Sequence, residues 1–168
     1  AMEFLKQQNK RVSNIALDEQ DIKATKKNVV VIGGGDTGSD CIGTSRRHGA
    51  SQVTQLELLP KPPIKRTTAN PWPEWPMTLR TSSSHEEGAE RLFAVLTKEF
   101  VGDENGNLKA LNIVNVEWET STNGGRPSFV EIEGTERELP CELALLAIGF
   151  VHPQKKGLLA ELGVEKLC

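Results

Sequence analysis

The sequence has little cysteine and no long apolar run, and each absence narrows what the chain can be. Cys41, Cys141 and Cys168 are far apart, odd in number and form no C-x-x-C pair. Iron–sulfur clusters and structural zinc therefore have no local ligand set. Reduced thiols in a cytoplasmic protein are the expectation. No apolar stretch approaches ~20 residues, so no membrane span is predicted. The opening Ala1-Met2-Glu3-Phe4-Leu5-Lys6 lacks the charged-then-apolar layout of a signal peptide. The formal charge is −3, with Lys and Arg scattered. That argues against a nucleic-acid face, which needs a basic patch to release counterions. No Ser-His-Asp set, metal-ligand cluster or P-loop stands out, so no catalytic residue and no metal ligand is assigned.

What the sequence does hold is a glycine fingerprint. Val29-Val30-Val31-Ile32 runs into Gly33, Gly35 and Gly38, spaced G-x-G-x-x-G, and a helical segment follows at once. With 168 residues, of which 37% are hydrophobic, the chain can form one domain with short attached pieces around a real core. Residues 2–12 read as an amphipathic helix with Met2, Leu5 and Val12 along one side, and 13–27 as a polar connector. Lys27–Ile32 is predicted as a strand buried on both faces, because its apolar run is nearly continuous. A helix is expected over 36–48, with Asp36 and Asp40 early, Arg46, Arg47 and His48 late, and Gly49 as its stop. Cys41, Ile42 and Ser45 form the stripe that should face the sheet. Gln52–Leu59 is the next strand. Strand, glycine turn, helix and strand make a βαβ unit of about 30 residues, the setting in which the fingerprint holds a dinucleotide.

Prolines at 60, 62, 63, 71, 73 and 76 forbid regular structure over 60–81, and Trp72 and Trp75 favour an ordered loop there. That loop could fold over the nicotinamide half of a cofactor, contact a partner domain, or be a packed surface insertion. Ser83 with Glu86 and Ser84 with Glu87 offer two capping boxes for a short helix reaching about Arg91. Capping accounts for these glutamates, so His85, Glu86 and Glu87 are not read as an acid–base set. Strands are expected over 92–101, 108–119 and 128–133, joined by turns at Asn105-Gly106 and Asn123-Gly124-Gly125. They read as an antiparallel meander. Residues 142–148 should return as a buried strand, and 157–162 as a short helix. The expected fold class is α/β, a Rossmann-like NAD(P)-binding domain with a parallel sheet, a crossover helix and an antiparallel β-meander.

In such a turn Gly33 permits the tight exit from the strand, Gly35 lets the backbone approach phosphate, and Gly38 lets helix and strand pack closely. The free N–H groups of the first helical turn, over Gly34, Gly35, Asp36 and Thr37, would face a pyrophosphate. Asp36 would repel that group unless its carboxylate accepts from backbone amides of the turn. Glu57, near the end of the second strand, can accept from both ribose hydroxyls and repel a 2′-phosphate, which favours NADH over NADPH. Its spacing from Gly33 is slightly longer than the usual ~20 residues. An exposed strand-end glutamate would look the same, and Lys61, Lys65 and Arg66 could instead hold a 2′-phosphate. Ala147, Ile148 and Gly149 end the last strand with small residues that allow close passage of a cofactor, or mark a plain strand-to-loop exit.

Val-Ile-Gly-Gly-Gly-Asp-Thr-Gly at 31–38, Asp40-Cys41, Arg47-His48-Gly49-Ala50, Leu56-Glu57-Leu58-Leu59-Pro60, Asn70-Pro71-Trp72-Pro73-Glu74-Trp75-Pro76, His85-Glu86-Glu87-Gly88 and Leu145-Leu146-Ala147-Ile148-Gly149-Phe150 together resemble the small (β) subunit of bacterial glutamate synthase. The resemblance covers nearly the whole chain. It implies a flavoprotein in which NAD(P)H gives a hydride to FAD, and electrons pass through iron–sulfur clusters to the large subunit for glutamate synthesis. It maps pyrophosphate binding onto Gly33, Gly35, Asp36, Thr37 and Gly38, ribose binding onto Glu57, and the domain crossover onto Ala147, Ile148 and Gly149. The expected organisation is an N-terminal helix and connector over 1–26, the NAD(P)H-binding domain over 27–150, and a stub over 151–168 leading toward an FAD domain. FAD and the clusters would belong to the parent protein, since no flavin fingerprint and no cysteine-rich region occur here. The excised domain should then bind NAD(P)H, be inactive alone, and expose surfaces that could drive self-association. A related FAD-dependent reductase serving another partner, or a non-catalytic dinucleotide-binding module, are the alternatives. A methyltransferase could share the glycine turn, but the antiparallel meander fits a flavoprotein better.

Overall fold

The computed structural model describes residues 1–17, 20–119, 127–154 and 156–163. The Asn123-Gly124-Gly125 turn and Cys168 lie outside them. Four short strands form a parallel sheet. β1 (Asn28–Ile32) is central, with β2 (Gln52–Glu57) and β8 (Leu143–Leu146) on either side and β3 (Glu90–Phe93) beyond β2, giving the order β3-β2-β1-β8. Register is continuous from Asn28↔Gln52 to Ile32↔Leu56, so β1 and β2 end level with one another. Val29, Val30 and Val31 are buried because neighbours cover both faces, as the continuous apolar run requires.

Helix α2 (Gly35–Arg47) crosses from β1 to β2. Cys41, Ile42 and Ser45 are buried on its inner stripe, and Cys41 and Ile42 pack with Val29, Val31 and Val53. Its basic C-terminus complements the helix dipole and also ties down neighbours. Arg46 Nε donates to the Glu87 carbonyl at 3.3 Å, Arg47 pairs with the Glu87 carboxylate, and His48 meets Gln8.

Helix α1 (Met2–Val12) keeps only Leu5 of the expected stripe against the core and centres its inward face on Phe4 and Gln7. Met2 and Val12 are exposed, whereas Phe4 and Gln7 are buried. Phe4 packs edge-on to the His48 ring, with centroids 5.2 Å apart. Gln7 can be buried because both ends of its amide are satisfied: Nε2 donates to the Gln20 carbonyl at 3.0 Å, and Oε1 accepts from Ile22 N–H at 2.9 Å.

The segment expected as one strand over 92–101 is two strands in two sheets. β3 joins the parallel sheet and β4 (Val95–Gly102) the antiparallel one, and Ala94, at φ 53°, makes the break. A run of apolar and β-branched residues looks the same across such a break, so composition does not reveal it. β4 pairs with the long β5 (Leu108–Glu119), which also receives β6 (Ser128–Glu131) and β7 (Arg137–Pro140). The β4–β5 turn uses Gly106 at φ 78°, and Asp103 Oδ1 accepts from the N–H groups of Asn105 and Asn107. β7 is charged and closes on proline, so it carried no strand pattern. β8 lies at the sheet's edge; Leu145 is buried, but Leu146 is half exposed, not part of a wholly buried strand. The short helix α3 spans only Ser83–Glu86, and α4 is Leu158–Glu161. Among the described residues, no helix is long and apolar enough to cross a membrane.

Candidate dinucleotide cleft at the ends of the parallel strands

Parallel strands deliver their C-terminal ends to one side, and the loops leaving β1, β2 and β8 meet there. Gly33 leaves β1 at φ 99°, and a Cβ on it would stand 2.5 Å from the Ala147 carbonyl oxygen and 3.1 Å from the Ile148 side chain. The exit from β8 thus passes directly against the glycine turn, held by Ala147 N–H to the Ile32 carbonyl at 2.7 Å. A Cβ on Gly34 would collide with the Glu57 carboxylate, so only glycine lets that side chain fold against the turn. A Cβ on Gly38 would approach the Gly33 carbonyl at 2.9 Å. Gly35, at φ 70°, has open space where its Cβ would be. The three close positions explain how the turn packs. The fourth faces the cleft.

The first N–H groups of a helix have no partners inside it. No side chain caps α2, and Gly35 begins it directly after the extended Gly34. Asp36 is exposed in the first turn, where its charge favours the helix dipole. It forms no hydrogen bond with the turn among the described residues, contrary to the expected bonds from backbone amides. Thr37 stands half-buried beside it. The geometry therefore fits a diphosphate: glycine surfaces that a Cβ would fill, with open amides behind them.

Between α2 and the strap 60–82 runs a cleft of about 580 Å³, lined by Gly35, Asp36, Gln55, Glu57, His85 and Arg91, with Pro60, Pro62 and residues 78–82 forming the far wall. The strap thus covers the Glu57 side of the turn. Arg66 is spent inside the strap, where its Nη1 donates to the carbonyls of Asn70, Pro71 and Glu74 at 3.1, 3.1 and 2.9 Å. The cations that line the cleft are Arg80 and Arg91, neither of them singled out by sequence. Arg91 Nη1 donates to the Arg80 carbonyl at 2.8 Å, and its buried Nε has no hydrogen-bond partner among the described residues. Burial pushes the Glu57 carboxyl above its ordinary range, and Arg91 pulls it partly back.

Two further residues escaped sequence reading. Gln55 is 1% exposed, and its amide bridges Gly33 and Glu57. His85 sets its ring between Ser82 and Gln55. The capping pattern of α3 therefore uses Ser82 with His85, in place of the serine–glutamate pairs, because the helix starts one residue early relative to them. The signal for Gln55 was available: a polar amide in the interior of a strand expected between parallel neighbours must find partners. Of the sequence-predicted residues, Gly35, Asp36 and Glu57 line this cleft, Gly33, Gly34, Gly38, Ala147 and Ile148 pack at the turn beside it, Gly149 follows in the exit from β8, and Thr37 lines a separate depression with Met2 and Leu5 of α1. No group of three or more metal-ligating side chains occurs among the described residues.

No protein-family model matches the chain. Glutamate synthase [NADPH] small chain of Mycobacterium tuberculosis is 47% identical over 169 aligned residues, covering 98% of this chain and 33% of that protein. Glutamate synthase [NADH] of Schizosaccharomyces pombe is 45% identical over 93% of this chain and 8% of that protein. The chain thus spans a third or less of these relatives. Among solved structures, Mycobacterium tuberculosis FprA in complex with NADPH aligns with a TM-score of 0.52 at 13% identity, over 76% of this chain and 40% of FprA, which shows the fold. The chain is homologous to one segment of the glutamate synthase small chain, and it folds as a Rossmann-like domain.

Proposed function

We propose that this chain is the NAD(P)H-binding domain of a glutamate synthase-type oxidoreductase, and that NADH is its preferred cofactor. The observation that carries the reading is the uncapped start of α2 opening onto a glycine turn, with the Glu57 carboxylate folded beside it. The diphosphate would lie on the amides of Gly34 to Gly38, and the adenosine ribose against Glu57. Ala147, Ile148 and Gly149 would pass the cofactor toward the flavin. In the parent protein the nicotinamide would give its hydride to FAD. Iron–sulfur clusters and the large subunit would carry the electrons on to glutamate synthesis in the cytoplasm.

The domain would run over 27–150, with 1–26 as an attached helix and connector and 151–168 as the passage toward the FAD domain. Ile148, Phe150 and Val151 are largely exposed beside the turn, which supports a surface meant for further protein. Calorimetric titration with NADH and with NADPH tests the proposal. Saturable binding of both, with NADH tighter and with no oxidation of either in the absence of flavin, is expected. Absence of binding at millimolar cofactor would contradict it.

A further inference from the structure

A carboxylate that reads a ribose must be held in one orientation, and Glu57 does not hold itself. Its neighbour two residues back does. Gln55 Nε2 donates to Glu57 Oε1 at 3.0 Å and to the Gly33 carbonyl at 3.1 Å, so both amide protons are used. Gln55 Oε1 faces His85 Nε2 at 3.0 Å. Which ring nitrogen carries the proton follows from the other side of the imidazole. Ser82 N–H donates to His85 Nδ1 at 3.1 Å, and Ser82 Oγ lies 2.8 Å from the same atom. Nδ1 is therefore an acceptor, the proton sits on Nε2, and Nε2–H donates to Gln55. Turning the amide over would set its oxygen against a carbonyl and a carboxylate, and its protons against an N–H. Only one orientation is compatible with the surroundings.

We propose that His85 and Gln55 are positioning residues for cofactor choice: the backbone N–H at the start of α3 fixes the imidazole, the imidazole fixes the amide, and the amide aims Glu57 at the ribose hydroxyls. This rests on the reading that the cleft receives the adenosine ribose of a nicotinamide dinucleotide. The neutral ring the relay needs is favoured by burial and by the nearby Arg91, both of which lower the His85 pKa. The relay also gives the short helix a role beyond packing. It links the end of the strap, at Ser82, to the strand that carries the selecting acid.

The test is the ratio of NADPH to NADH dissociation constants, measured by calorimetry for the wild type and for Glu57→Gln, His85→Phe and Gln55→Met. Loss of a group that reads a hydroxyl should lower that ratio in Glu57→Gln by about 10-fold. The relay predicts that His85→Phe and Gln55→Met lower it nearly as far, with NADPH affinity within about 2-fold of wild type. A purely structural role would weaken both cofactors together and leave the ratio unchanged, and that result overturns the relay. An unchanged ratio in His85→Phe beside a lowered one in Glu57→Gln also overturns it, while leaving the proposed function standing. A wild type that binds neither cofactor defeats the functional reading itself. His85 lies on an exposed short helix, so its variant remains informative if Gln55→Met does not fold.

Discussion

β1 and β5 are each the strand that organises its sheet, and they differ in almost every physical respect. β1 has five residues and parallel neighbours on both sides; β5 has twelve and only antiparallel ones. A parallel strand cannot hairpin back, so β1, β2 and β8 release loops at one end, and those loops can converge on a ligand. β5 spends its length on packing. Leu111 and Ile113 are buried with Val30, Leu56 and Val95, and Trp118 Nε1 donates to the Leu58 carbonyl at 2.9 Å. The antiparallel sheet thus supports the loop beyond Glu57 without reaching the cleft. Binding and stability should therefore separate when the two sheets are altered in turn.

The largest effect is expected in the antiparallel sheet. Leu111→Ala should cost about 2–5 kcal/mol in urea denaturation, through lost burial and a residual cavity. The folded fraction should still bind NADH with a dissociation constant within about 2-fold of wild type. A binding loss that exceeds the unfolded fraction would erase the distinction between the sheets.

Gly35→Val reverses the pattern. Its φ of 70° disfavours a β-branched residue, and the side chain would enter the space before the amides. NADH affinity should fall by about 100-fold, roughly 2.7 kcal/mol. The backbone strain should add about 1–3 kcal/mol of instability. Retained affinity would show that the diphosphate does not approach this turn.

A smaller effect sharpens the contrast through pH. Burial, Arg11 and Lys23 lower the His48 pKa, with Asp21 opposing them. In the folded chain His48 Nε2 donates to Gln8 Oε1 at 2.7 Å while Nδ1 accepts from Ala24 N–H at 3.5 Å, so the neutral ring is the one that docks α1. A depressed folded-state pKa means the unfolded chain takes up the proton first. The stability linked to His48 is present above about pH 6.5 and lost as pH falls through the folded value. His48→Gln should flatten the acid side of the denaturation midpoint, whereas a substitution in β5 should only shift the curve vertically.

The smallest expected signal is chemical. Burial pushes the Cys41 and Cys141 thiols up to about 11. One packs in each of the two clusters of buried side chains. Iodoacetamide at pH 8 followed by peptide mapping should leave both unmodified in native protein and modify both in urea. Labelling of only one in native protein would identify the half that opens first.

The same contrast governs what could be read from the sequence. The glycine spacing, the apolar run and the order of charges along α2 are local, so the βαβ unit and its glycine turn were legible. The split at Ala94 and the pairing of β7 depend on contacts distant in sequence, and no local pattern encodes them. The same holds for the face that α1 buries. Gln7 is accepted inside only because Gln20 and Ile22 complete its amide, and a helical wheel cannot show that. His85 was read as incidental to capping because its second partner, Gln55, is thirty positions away. Glu57 was legible as a strand-end acid, but not the amide that holds it.

Cofactor binding would rest on the open amides at the start of α2, and an NADH titration followed by backbone amide NMR measures them one by one. The N–H resonances of Gly34 to Gly38 should shift together and saturate with a single dissociation constant, with Glu57 and Gln55 following and β5 unmoved. Resonances of that turn that stay fixed while others respond would contradict it.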